Sequence, residues 1–73
     1  MNKLPQVSGS DIVRALQKLG FTVRRQHGSH IIMRRDDPFA QTVVPNHKQI
    51  DRGTLRAILR QIEITAEELI KLL

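Results

Sequence analysis

The sequence predicts an α+β fold: a helix, a three-stranded antiparallel sheet, a second helix and an extra short C-terminal helix. Apolar residues recur at helical spacing in two stretches, Ile12-Val13-Leu16-Leu19 and Leu55-Ile58-Leu59-Ile62. Three short strand-like runs lie between them, separated by the turn signals Gly28-Ser29 and Asp36-Asp37-Pro38. Connections this short favour a meander, with the flanking helices on one face and the other face open.

Each element has its own local reason. Residues 1–7 read as a loose start. Ser8 or Ser10 can cap the first helix, and Asp11 suits its first turn. Gly20 ends that helix, since glycine readily takes the left-handed conformation past a C-cap. Phe21 to Arg24 alternates apolar and polar side chains, and the expected core pair is Phe21 and Val23, with Thr22 and Arg24 outward. His30 to Arg35 reads as the second strand, hairpin-paired with the first, and Gln41 to Val44 as the third, closed by Pro45. Asn46 to Ile50 is a loop, and Asp51 can cap the second helix. That helix carries Arg52, Arg56 and Arg60 as a basic ridge opposite its apolar face. Thr65-Ala66-Glu67-Glu68 has the pattern of a capping box and opens the terminal helix.

The chain has 73 residues, so the expectation is one domain, 1–73, with a modest core. It has no cysteine, which excludes a disulfide, a thiolate metal site and thiol catalysis, and fits a cytoplasmic protein. No apolar stretch reaches the ~20 residues of a membrane span, and no signal-peptide pattern opens the chain. Only two residues are aromatic, Phe21 and Phe39, which argues against base stacking on an aromatic platform. The net charge is +5 and uneven: up to residue 62, 11 lysines and arginines face 4 aspartates. Beyond it, one lysine faces three glutamates. A basic body of this kind suits a polyanion such as nucleic acid.

Within that body one residue is singled out. His30 follows the Gly28-Ser29 turn and opens the apolar run Ile31-Ile32-Met33. Strand residues alternate faces, so if Ile31 and Met33 meet the helices, His30, Ile32 and Arg34 face outward. The opposite phase would bury Arg34, at the cost of an unpaired charge in the core. His30, Arg24 and Arg34 then form a proton-transfer group among fixed cations on the open face. Cleavage of RNA needs little more: a base for the ribose 2′-OH and cations for the charge developing on phosphate. Histidine, with an ordinary pKa of about 6.5, is suited to the proton step. The route requires no metal, and DNA, lacking the 2′-OH, is not a substrate for it. His27, His30 and His47 match no compact zinc spacing. Ser29 has no visible triad partners and reads as a turn residue.

The helix end Leu19-Gly20-Phe21, the run Arg25-Gln26-His27-Gly28-Ser29-His30, the turn Val44-Pro45-Asn46-His47 and Gly53-Thr54-Leu55-Arg56-Ala57-Ile58-Leu59 together resemble the HicA (YcfA-like) toxins over residues 8–62. The resemblance implies a fold like that of double-stranded-RNA-binding domains, α-β-β-β-α, and the role of toxin in a type II toxin–antitoxin pair linked to stress response. It implies an mRNA interferase, an endoribonuclease whose catalytic histidine falls on His30, presented by Gly28 and Ser29. It implies a HicB-like antitoxin as partner, which covers the active face and through which any contact with DNA is made. Two positions depart from the common pattern: Ile31 stands where many members have a second histidine, and His27 where lysine or another polar residue is frequent.

Arg24, Arg34 and Lys48 are the residues expected to hold RNA phosphates, with Gly28 and Ser29 beside them, and no metal or other cofactor is expected. One histidine cannot act as base and acid in the same step, so the leaving oxygen takes its proton from water, His27 or His47. His27 otherwise reads as a solvated turn residue, and His47 as a brace for its loop. The rival reading is a non-catalytic RNA-binding module of the same fold.

Overall fold

The first helix, α1 (Gly9–Gln17), opens a chain that runs through three strands, β1 (Thr22–His27), β2 (His30–Asp36) and β3 (Phe39–Pro45), to α2 (Arg52–Ile62) and α3 (Ala66–Leu72). The computed structural model describes residues 4–73. The sheet is antiparallel in the order β1-β2-β3, so the expected α+β meander is the observed one.

The helix boundaries follow from capping. Ser8 accepts from the Asp11 backbone N–H at 3.1 Å, and Asp11 accepts from the Ser8 N–H at 3.0 Å. This satisfies two amide groups that a helix start leaves without partners. At the other end the Gly20 N–H donates to Gln17 and the Phe21 N–H to Leu16, with Gly20 at a φ of 90°. That is the Schellman pattern, and it turns Phe21 into the core beside Leu16. Asp51 caps α2 by accepting from the Thr54 N–H at 3.1 Å. The same C-terminal pattern closes α2, but the left-handed position is held by Glu63 at a φ of 58°. Thr65 and Glu68 form the capping box of α3.

The core is a single cluster between helices and sheet. Ile12, Leu16, Phe21, Met33, Val44, Leu55, Ile58 and Leu69 are its fully buried members. Ile31 and Met33 face it while His30 and Ile32 do not, which is the expected phase of the second strand. Within this cluster Thr42 is buried and its hydroxyl is satisfied by the Gln61 side chain.

Three expectations need correction. The loose start over residues 1–7 falls partly on residues 1–3, which lie outside the described residues; from residue 4 onward the segment is anchored. Leu4 and Val7 are buried, and the Ile50 N–H donates to the Val7 carbonyl. Secondly, β1 runs to His27 and not to Arg24, because a bulge between Val23 and Arg25 lets the hairpin continue to its tip. β3 likewise extends from Phe39 to Pro45. Thirdly, Val23 is 44% exposed rather than a core partner of Phe21. β1 is an edge strand and α2 packs chiefly over β3, so the inward side of Val23 is poorly covered.

Candidate active site

Gly28 and Ser29 join β1 to β2 as a two-residue hairpin turn. Gly28 has a φ of 57°, whereas Ser29 is not among the residues with positive φ. Glycine at the first central position with only that φ positive fits a type II′ turn, whose twist matches that of paired strands. A Cβ on Gly28 would meet nothing within 4 Å, so backbone conformation and not space selects glycine here. The turn therefore fixes the register of the strands on either side of it.

That register decides which side chains share the open face. His27 pairs with His30, and His30 pairs in turn with Pro45. Ile32 pairs with Val43 and Arg34 with Thr22 and Gln41. Directly opposed residues lie on the same side of a sheet. Because Ile31, Met33, Thr42 and Val44 are buried on the helix side, the row His27-His30-Pro45 and the row around Ile32 belong to the other side. At the bulge, Arg25 stands opposite Ile32 and Arg24 is the extra residue without a cross-strand partner. His27, His30, Arg24 and Arg25 are all exposed.

The cations of this region differ in how they are held. Arg34 forms an ion pair with Asp36, its Nε 2.9 Å from Oδ1. Arg35 is structural: it donates to the carbonyls of Pro38 and Leu19 at 2.9 and 3.2 Å, and its guanidinium lies 4.6 Å from the centre of the Phe21 ring. Arg24, Arg25 and Lys48 are exposed and have no ion pair among the described residues. Their charge is thus available to a polyanion, while that of Arg34 is already partly neutralised. Lys48 lies in the loop after β3.

The Val44-Pro45-Asn46-His47 segment is locked to its surroundings by backbone. The Asn46 N–H donates to the Ser29 carbonyl at 2.6 Å, tying the loop to the hairpin tip. The Gly9 N–H donates to the His47 carbonyl at 2.8 Å, tying it to the start of α1. A Cβ on Gly9 would lie only 2.2 Å from the Pro45 carbonyl oxygen, so the close approach needs glycine. His47 therefore has the bracing position expected of it, through its main chain, and its side chain is exposed. The apolar side chains Phe39 and Val43 are also exposed on the open face, at 69% and 44%.

Of the residues singled out from sequence, Gly28, Ser29 and His30 come together at one end of the open face, and Arg24 is exposed at the bulge of the neighbouring strand. Arg34 shares the face two pairs further along, tied to Asp36. Arg25, which the bulge brings opposite Ile32, was not among those singled out, and His27, named with water and His47 as a source of the second proton, is the cross-strand partner of His30. That pairing was legible in principle, since two residues flanking a two-residue hairpin turn must face each other. Two surface grooves lie elsewhere, one between α1 and the end of α3, the other around Leu4, Arg56 and Arg60, and no histidine lines either.

Among the described residues no helix is long and apolar enough to cross a membrane. No curated protein matches the chain. The family model described as "HicA toxin of bacterial toxin-antitoxin" matches residues 9–64, from the start of α1 to just past the end of α2. The matched span takes in both hairpins, the His30 turn and the Pro45–His47 brace, and so this chain belongs to the HicA family of toxins, the toxin half of a bacterial toxin–antitoxin pair with a cognate antitoxin as its partner.

Proposed function

We propose that this chain is an endoribonuclease that cleaves mRNA in the cytoplasm, with His30 as its acid/base group and with no metal taking part in the chemistry. The observation that carries the reading is the position of His30. It is an exposed histidine at the mouth of β2, on the sheet face that the helices do not cover, with Arg25 opposite Ile32 on the same face and Arg24 exposed at the adjoining bulge. A neutral imidazole there can take the proton of a ribose 2′-OH, whose oxygen then attacks the adjacent phosphorus. The neighbouring guanidinium groups offset the charge that builds on the phosphate oxygens. In this reading Arg24, Lys48 and, after release from Asp36, Arg34 hold the phosphates. Gly28 and Ser29 keep the hairpin tip close to the backbone of the strand. An open, nearly flat face suits a polymeric substrate better than an enclosed pocket would. A HicB-like antitoxin covering the same face would silence the enzyme by blocking access to His30.

The test is a pair of end-labelled oligonucleotides of one sequence, RNA and fully 2′-O-methylated RNA, incubated with the protein in excess EDTA. The proposal expects fragments ending in 2′,3′-cyclic phosphate from the first and none from the second. Salt-dependent binding of RNA without any product would support the rival, a non-catalytic RNA-binding module.

A further inference from the structure

We propose that His27 is a second catalytic residue, the general acid that protonates the leaving 5′-oxygen while His30 acts as base. The inference rests on the ribonuclease reading above and extends it to the partner that a single histidine needs. Three observations carry it.

The first is register. His27 and His30 are cross-strand partners, the pair that closes the two-residue turn, and so lie on the same side of the sheet. Side chains in directly opposed positions have Cβ atoms about 5 Å apart. Two imidazoles on such a base can flank one phosphate, one near each of the two oxygens that exchange protons in an in-line displacement. The second is exposure: both histidines are open to solvent, so a chain laid across the hairpin tip can reach both. The third is rigidity. The Gln26 side chain donates to the Gly28 carbonyl at 2.9 Å, and the Ser29 carbonyl accepts from the Asn46 N–H. The tip that carries both histidines is thereby bonded to its own strand and to the loop beyond β3. His47, the other histidine available, has no cross-strand place in this sheet, and its carbonyl is committed to the start of α1.

The step balances with these two groups alone. Neutral His30 accepts the proton of the 2′-OH as the O2′–P bond forms. The P–O5′ bond breaks, and protonated His27 gives its proton to O5′. The products are a 2′,3′-cyclic phosphate and a free 5′-hydroxyl. The enzyme is left with His30 protonated and His27 neutral, and exchange with solvent restores the starting forms. No oxidant, reductant or co-reactant is consumed.

The experiment compares wild-type protein, His27→Ala, His27→Gln and His30→Ala on two substrates in EDTA. One is ordinary RNA. The other carries a bridging 5′-sulfur at each linkage, a leaving group that departs without protonation. His27 is exposed, so its variants should fold, and unchanged thermal melts check this. General acid catalysis contributes about 10²–10⁴-fold. The expected result is that both His27 variants lose that factor on RNA and regain rates within about tenfold of wild type on the sulfur substrate. His30→Ala stays slow on both. Wild-type rates on RNA for the His27 variants would overturn the proposal, as would an equal loss on both substrates. If wild-type protein cleaves neither substrate, it is the ribonuclease reading itself that has failed.

Discussion

The contact between the start of α1 and the loop after β3 makes a sharp prediction about Gly9→Ala. The added Cβ would sit 2.2 Å from the Pro45 carbonyl oxygen and 2.9 Å from the Asn46 Cα, where ordinary contact begins at 3.4 Å. Both atoms are backbone, so no side chain can swing aside; α1 must withdraw by about 1 Å. The Gly9 N–H to His47 carbonyl bond, now 2.8 Å, would stretch past the range of a hydrogen bond. Forced overpacking costs about 1–3 kcal/mol and loss of such a bond about 0.5–1.5 kcal/mol. The sum, about 1.5–4.5 kcal/mol, is a large share of what a domain of this size has. It corresponds to a melting temperature lower by roughly 6–36 °C. Gly53→Ala is the matched control. There the Cβ would approach only the Asp51 carboxylate, at 3.3 Å, and alanine suits a helix better than glycine by up to about 1 kcal/mol. Urea unfolding and thermal melts of the two variants measure both effects. The reasoning is refuted if Gly9→Ala is as stable as wild type, or if the two substitutions shift stability in the same direction.

Glu63→Gly should stabilise the protein by about 1 kcal/mol, since it relieves a left-handed conformation that suits glycine better than glutamate; a lower midpoint in urea would contradict this. Donation from the Ser8 backbone N–H, and then from its side chain, holds the Asp11 carboxyl below its ordinary value of 3.8. Its contribution to stability is therefore complete above that pH and is lost as pH falls through the lower folded value. The stability difference between wild type and Asp11→Asn should be full above about pH 4 and shrink progressively as pH falls below it. If RNA lies on the open face, Arg24→Gln and Arg25→Gln should each lower the slope of log affinity against log salt by about 0.7, whereas Arg35→Gln should act through stability, because its guanidinium is spent on Leu19, Pro38 and Phe21.

Local signals carried most of the architecture. The capping residues Ser8, Asp51 and Thr65 stand where the helices start, and the alternation of Ile31 and Met33 put His30 outward. What sequence could not supply was the effect of one element on another. Val23 has the character of a core residue and lies on the helix side of the sheet, but it is exposed because its edge strand is poorly covered, α2 packing chiefly over β3. The bulge that sets Arg25 beside Arg24 adds one residue to a strand, and a simple alternation does not count it. Leu4 and Val7 look like an unstructured lead because their partners are far along the chain, Ile50 among them. Arg34 illustrates the same limit for the site: its face was readable, while its ion pair with Asp36 depended on β2 running one residue further than expected, to Asp36 itself.

In the proposed reaction His30 performs the chemistry. Incubating His30→Ala beside wild type with end-labelled RNA in excess EDTA tests it most directly, with equal thermal melts as the check on folding. His30 is exposed and outside the core, so the substitution should leave stability unchanged. The expected result is cyclic-phosphate fragments from wild type, a rate at least about 10²-fold lower from the variant, and loss of growth arrest in cells that express it. Cleavage and growth arrest by His30→Ala at the wild-type level would contradict it.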